Sequence, residues 1–364
     1  MRIQLERRAS HSQAMQYLSP IIAIGLSLVS FFIIFVLSGI DPLQALYIYF
    51  VEPLTAGWSI EDLLTKAAPI ILIAIGLSFC YQSAVWNIGA EGQLAAGALA
   101  GSILPVLYPS LQGPWVLAAM MIMGVLGGMA YAAIPAILKI RFNANETLTT
   151  LMLVYVANLF LDYMARGPWR DPAGMNFPNS KPFEDGQLLP IIAGDTVRLS
   201  IVFMLAAVVI AWFLTSKTMT GFKIRVLGLS PRAGAFGGFS RNKMVMLTFL
   251  ISGGLAGLAG ICEVAGPIGL LRTTVSPGYG FTAIIVAFLG RLHPFGILVA
   301  GLLLALSYMG GEGAQVALGL SDQTTQVFQG MLLFYVLACD SFIYYRLRFV
   351  RDRSHEATAA RVAS

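Results

Sequence analysis

Charge is what this sequence has least of. Asp, Glu, Lys and Arg make up 11% of its 364 residues, against about 25% in an ordinary soluble domain. Apolar residues make up 57%, and the mean hydropathy is +0.77. So few charges cannot keep a soluble surface wetted, so composition points to a polytopic membrane protein and excludes a disordered chain and a nucleic-acid binder. Cysteine is scarce as well: Cys80, Cys262 and Cys339 each lie in an apolar stretch, far apart. They read as buried small hydrophobes, not as a disulfide or thiolate metal site. The three histidines, His11, His293 and His355, build no metal-ligating motif, and no carboxylate set has metal spacing. No Gly-x-x-x-x-Gly-Lys phosphate loop is present, so any ATP and Mg must be bound by another chain. No catalytic or metal residue is expected. The net charge of +5 needs no acidic partner, because cytoplasmic loops of membrane proteins concentrate Lys and Arg.

What is present is a series of long apolar runs. A helix crossing a bilayer takes about 20 apolar residues. Runs at 18–39, 67–83, 87–107, 115–138, 147–165, 199–216, 244–266, 279–290, 294–309 and 326–345 predict an all-α polytopic membrane protein of about ten transmembrane helices. The arm before the first run carries Arg2, Arg7 and Arg8, but the run is longer than a signal-peptide core and no A-x-A site follows, so an uncleaved helix is expected. Ten crossings put every basic segment on one side: the arm (1–17), Lys139 with Arg141, the 217–243 loop, and the tail (346–364). That side is the cytoplasm by the positive-inside rule. The opposite loops hold Asp41, Glu52, Glu61 and Asp62, the mixed 166–198 stretch, and Glu312 with Asp322. The organisation expected is an arm (1–17), a transmembrane domain (18–345) and a tail (346–364). Runs two to five and seven to ten, each with a Gly-interrupted segment, have the orientation of an inverted repeat. Small-xxx-small spacing at Gly97/Gly101, Gly124/Gly128 and Gly253/Gly257 marks close helix packing.

Four features carry functional expectations. The polar break holding Asn87, Glu91 and Gln93 follows a short run. It reads either as an intramembrane break lining a cavity or as a cytoplasmic turn in which Asn87 caps the next helix. In the fifth run Tyr155, Asn158 and Asp162 share a helical face, with Thr147 and Thr150 near its start, which reads as a pathway stripe or as helix–helix hydrogen bonding. The 217–243 loop holds six basic residues, and Ser230 before Pro231 is a helix start. A short helix there serves either to dock a soluble partner or to touch anionic lipid heads. Tyr279–Gly290 is short, bounded by glycine and proline, and suits a re-entrant or tilted half-helix.

At these motifs the chain resembles the integral permease subunits of bacterial ABC importers in the ribose and branched-chain amino-acid permease superfamily. It is most similar to the longer permease of nucleoside-type importers. The resemblance rests on Trp86-Asn-Ile-Gly-Ala-Glu-Gly-Gln93, on Asn145-Glu-Thr-Leu-Thr-Thr-Leu-Met152, on Asn176-Phe-Pro178, and on Gly278-Tyr-Gly-Phe281 with Ala287-Phe-Leu-Gly290. The loop at 228–238 resembles the family's coupling loop, with Ser230 and Ala233-Gly234 where the family often has Asn and a double Ala. The resemblance implies a cytoplasmic ABC ATPase, a second and shorter permease chain, an external solute-binding lipoprotein or periplasmic protein, and a multi-pass location in the bacterial inner membrane with both termini cytoplasmic. Nucleoside is the solute it favours.

The expected pathway residues are Asn87, Glu91, Gln93, Asn145, Glu146, Tyr155, Asn158 and Phe281. Gly228, Ser230, Pro231, Arg232, Ala233 and Gly238 are expected to couple to the ATPase, and Asn176, Phe177 and Pro178 to face the receptor. The alternative is an ion-coupled secondary transporter using Glu91, Glu263 or Asp162. A membrane enzyme lacks a nucleophile, base or metal set, and a passive channel leaves the basic loop unexplained.

Overall fold

A computed structural model describes residues 2–7, 13–55, 57–111, 113–321 and 323–350. His11, Asp322, His355 and the tail beyond 350 lie outside the described residues. In chain order the elements are β1 (Arg2–Arg7), α1 (Gln13–Leu37), α2 (Pro42–Phe50), α3 (Gly57–Gln82), α4 (Ala90–Gly101), α5 (Ile103–Leu107), α6 (Pro114–Phe142), α7 (Glu146–Arg166), β2 (Ile191–Ala193), β3 (Val197–Arg198), α8 (Ser200–Lys217), α9 (Met219–Leu229), α10 (Pro231–Phe236), α11 (Arg241–Glu263), α12 (Tyr279–Leu289), α13 (Pro294–Leu318), α14 (Gln323–Tyr344) and β4 (Tyr345–Val350). Among the described residues eight helical segments are long and apolar enough to cross a membrane: α1, α3, α4 with α5, α6, α7, α8, α11 and α13. The tenth expected run is α14. The eighth is α12, only 11 residues and about 16 Å long.

The chain divides into two compact units. In the first, Phe31 of α1 packs on Phe328 of α14 at 5.0 Å between ring centroids, and Ser30 and Tyr335 share a hydrogen bond of 2.7 Å. There β1 pairs antiparallel with β4, Arg2 opposite Val350 and Arg7 opposite Tyr345. The arm and the start of the tail, expected only as basic segments, therefore form a two-stranded ribbon.

The second unit, Gln44–Asp322, is built on α4, α6 and α11. Lipid offers no hydrophobic drive between helices, so close backbone approach has to supply the attraction. A Cβ on Gly97 of α4 would fall on the backbone of Gly257 of α11, and one on Gly257 would fall on Gly124 and Gly128 of α6. The small-residue spacing in the sequence thus marks one three-helix seam.

Cys80 Sγ donates to the Thr248 carbonyl at 3.3 Å while Gly76 packs on Ser252, so α3 and α11 run antiparallel. α3 is followed by a non-helical segment and the short α4, and α11 by a kinked helical turn at Val264–Ile268, a non-helical segment and the short α12.

Two expected boundaries move. The second run begins at Gly57, not at 67, which makes α3 26 residues and about 39 Å long. Glu61 and Asp62, expected in a loop, lie in its first turns. Glu61 accepts hydrogen bonds from the N–H groups of Asp195 and Thr196 at 2.9 and 3.1 Å, tying the β2–β3 hairpin to the helix. The expected short span before the polar break therefore does not exist. The ninth run continues from 309 to Leu318, carrying Gly310, which packs on Tyr49, and Glu312, which pairs with Lys66.

The seam sets the first prediction. Gly257→Leu should cost about 3 kcal/mol or more, because the neighbouring backbones cannot yield. Gly25→Leu on α1, where nothing lies within 4 Å of a Cβ, should stay within ~0.5 kcal/mol. Melting of the purified variants in detergent measures both.

Candidate functional site

After Gln82 the chain turns at Ala84 (φ 54) and re-enters the bundle. Asn87 Nδ2 donates to Ser252 Oγ at 3.0 Å, and Ser252 lies beside Gly76. Asn87 is therefore level with Gly76, about 9 Å inside the end of α3. Non-helical backbone at such a place has to be satisfied by protein. Asn87 Oδ1 accepts the Gly89 N–H at 3.0 Å, Thr150 Oγ1 accepts the Ile88 N–H at 3.2 Å, and the Tyr81 hydroxyl donates to the Asn87 carbonyl at 3.0 Å. The side chains of Asn87 and Gln93 exchange two hydrogen bonds of 3.1 Å, both residues buried. The polar break thus lies within the bundle. Asn87 braces the re-entrant segment and does not cap α4, which begins at Ala90.

The second half-helix arrives from the other direction. Residues 269–272 pair with the long 166–198 loop, through Phe183 N–H to the Gly269 carbonyl and Ser180 N–H to the Leu271 carbonyl, both 2.8 Å. The chain then descends without helix to Gly278 (φ 106), where α12 starts. Ser276 Oγ accepts the N–H groups of Gly278 and Tyr279 at 3.1 and 2.8 Å. The Gly280 N–H donates to Glu91 Oε2 at 2.6 Å. A Cβ on Gly280 would fall on the Glu91 backbone, so only glycine fits the junction. The amino ends of α4 and α12 therefore meet inside the bundle. Ser276 and Glu91 take the first N–H groups of α12, and the Glu91 carboxylate lies at the positive dipole ends of both helices.

Beside this junction is a cavity of about 170 Å³. Glu91, Leu94 and Ala95 of α4, Asn158 and Leu161 of α7, and residues 273–276 line it. A larger groove of about 480 Å³ among α3, α6, α8 and α11 is walled by residues such as Phe79, Met129, Phe203 and Leu250, and offers a polar solute no hydrogen bond.

The expected pathway residues separate into groups. Glu91 and Asn158 line the cavity. Asn87 and Gln93 are braces. Tyr155 lies on the exposed face of α7, whereas Thr150, expected near the same side, faces Gly89 across α4's start. Asp162 accepts two bonds of 2.8 Å from Arg166. Asn145 caps α7, accepting from the Thr147 and Leu148 N–H groups at 3.0 and 3.3 Å, and Glu146 pairs with Lys139 at 2.7 Å. With Trp86 these two line a separate cleft at the basic end. Phe281, partly exposed on α12, does not line the cavity.

At the basic end α9 and α10 form the short helical segment the sequence implied. Ser230 Oγ accepts the Ala233 N–H at 3.4 Å with Pro231 in the first turn. Gly228 lies directly on the Gln82 carbonyl, where no Cβ fits. Gln82 Nε2 in turn donates to the Leu292 carbonyl between α12 and α13 at 2.9 Å. Pro231, Arg232, Ala233 and Gly238 are exposed, and so are Leu229 (89%) and Phe236 (93%). The sequence reading passed over those last two, although large apolar residues flanking a helix start in a basic loop were their signal. It also passed over Thr273, Thr274 and Ser276, a polar run just before Gly278. At the other end Asn176 (φ 71) accepts a bond from Arg170, Pro178 is half-buried, and Phe177 and Met175 are exposed.

Residues 59–337 match the family described as branched-chain amino acid transport system / permease component. A glucose ABC transporter permease protein of Haloferax volcanii is 33% identical over 96% of this chain and 95% of its own length. A guanosine ABC transporter permease protein of Bacillus subtilis is 27% identical, over 95% and 97%. A nucleoside ABC transporter permease protein of Lactococcus lactis is 26% identical, over 90% and 92%.

The brace at Asn87 sets the second prediction. Asn87→Ala leaves the buried Gln93 amide and the Gly89 N–H without partners, and should lower stability by about 1–3 kcal/mol. Ser252→Ala removes one bond and should cost less. Detergent melting curves of both variants test the order.

Proposed function

The chain belongs to the branched-chain amino acid transport system permease component family, and on that premise we propose that it is the longer permease chain of an ATP-driven importer for a sugar-bearing solute, nucleosides first. The resemblance seen in residues 86–93 and 145–152 is thereby borne out. As a permease component of an ABC transporter it is a multi-pass membrane protein. In the proposal the basic end is cytoplasmic, both termini lie there, and the membrane is the bacterial inner membrane.

The observation that carries the reading is the α9–α10 segment. It presents Leu229 and Phe236 outward beside Arg232, and exposed apolar groups rimmed by polar ones suit a protein partner. The proposed partner is a cytoplasmic ABC ATPase, which binds the ATP and Mg. Pressure on α9 passes through Gly228 to the end of α3, and through Gln82 to the α12–α13 turn. Both paths lead to the junction of α4 with α12, beside which Glu91 and Asn158 line the solute's route. Phe281 and Tyr155 face outward, toward a second permease chain. Asn176, Phe177 and Pro178 at the opposite end meet an external solute-binding protein. Relatives named for nucleosides and guanosine support the first-choice solute, and the relative named for glucose keeps sugars next. Asp162, which an ion-coupled carrier could use, is already held by Arg166.

Proteoliposomes test the reading. The chain alone should neither hydrolyse ATP nor accumulate solute, and adding its ATPase, second permease and receptor should confer ATP-dependent uptake. Phe236→Asp, or Arg232→Glu with Pro231→Gly, should cut that uptake at least about tenfold at unchanged membrane abundance. Accumulation by the chain with no ATPase present would contradict the coupling.

A further inference from the structure

The cavity beside the α4–α12 junction differs from the buried polar brace in that most of its polar side chains are open and uncommitted. Asn87, Gln93 and Thr150 are all engaged with one another or with backbone. Around the cavity, Asn158 and Thr274 are exposed and Thr273 is half-buried, and the Asn158 amide and the two hydroxyls have no hydrogen-bond partner among the described residues, so they are free to meet a solute. Glu91 is only 6% exposed, and the bond it accepts from Gly280 leaves a carboxylate lone pairs unused. Leu94, Ala95, Leu161 and Val275 supply an apolar floor.

The donor set decides the ligand class. No group of three or more metal-ligating side chains occurs among the described residues, and one carboxylate with neutral oxygens and an amide is a poor cation cage. An anion would face the Glu91 carboxylate. An apolar guest would leave that carboxylate and three polar side chains unmatched. A neutral ring with adjacent hydroxyls satisfies all of them: hydroxyls donate to a carboxylate, exchange bonds with Thr and Asn, and leave C–H faces for the apolar floor. About 170 Å³ is the share of five or six water molecules, room for one sugar ring.

We propose that this cavity is a binding site for the hydroxylated ring of the solute. Glu91 accepts hydrogen bonds from adjacent ring hydroxyls, and Asn158, Thr273 and Thr274 bind the remaining ones. The assignment rests on the reading of the chain as a permease for sugar-bearing solutes. The site reads the ring and ignores what the ring carries, so a free hexose and the ribose of a nucleoside are the two sources of the same chemistry.

The test uses the assembled transporter in proteoliposomes with its receptor and ATPase. Labelled guanosine is compared with 2′,3′-dideoxyguanosine, and labelled glucose with 2-deoxyglucose; whichever parent compound accumulates identifies the source. The wild type should favour the parent over its deoxy analogue by about tenfold. Glu91→Gln keeps an oxygen for the Gly280 N–H, and Thr274→Val keeps side-chain shape. Each should shrink that preference several-fold, because the parent loses hydroxyl contacts that the analogue never made. Thr274→Val lies off the helix junction, so it carries the comparison even where Glu91→Gln fails to assemble. A preference equal to wild type in every assembled variant overturns the site and leaves ATP-driven transport standing. Absence of ATP-dependent uptake of both guanosine and glucose overturns the solute reading and the site together.

Discussion

Two helices begin in the middle of this bundle, and a helix cannot begin in an apolar interior without partners for its first N–H groups. The bond from the Gly280 N–H to Glu91 answers that constraint for α12, while Asn87 and Thr150 answer it for the segment leading into α4. The hydrogen-bonding capacity left over, at Glu91, Asn158 and residues 273–276, is what makes a polar cavity possible between apolar helices. Local structure and the cavity's polar lining share one origin: interrupted helices.

The junction is also mechanically placed. On one side α4 is locked by glycine contacts to α6 and α11, a seam with no slack for sliding. On the other, α12 is only 11 residues long and joins, through the Leu292 turn, to Gln82 and hence to Gly228 of α9. In the proposed coupling a push on α9 reaches α12, while the glycine seam holds α4 in place. Stacking of Phe288 with Tyr81 and Trp86 adds a second link between the end of α3 and α12.

Much of this was legible in the sequence, because hydropathy and small-residue spacing report directly on what faces lipid and what packs closely. The runs, the seam glycines, the helix start at Ser230-Pro231 and the polar break at 87–93 are local signals. What hydropathy misses is structure held by polar contacts. The first turns of α3 carry Glu61 and Asp62 and look like a loop, yet Glu61 is engaged by a hairpin more than a hundred residues away. The last turns of α13 pass through Gly310 and Glu312 for the same reason. Residues 273–276 read as an unremarkable linker until the 166–198 loop and Glu91 fix both of their ends. The depth of Glu91 was likewise invisible, since nothing local says that 83–89 folds back along α3.

The central claim is that nucleotide at a cytoplasmic partner moves the junction between α4 and α12. Spin labels at Tyr155 on α7 and Phe281 on α12, both exposed, report on it by pulsed electron resonance in the assembled transporter. ATP binding should shift the distance distribution between them, and Gln82→Ala should weaken the shift. A distribution that stays the same while ATP is hydrolysed and solute is transported would contradict the account.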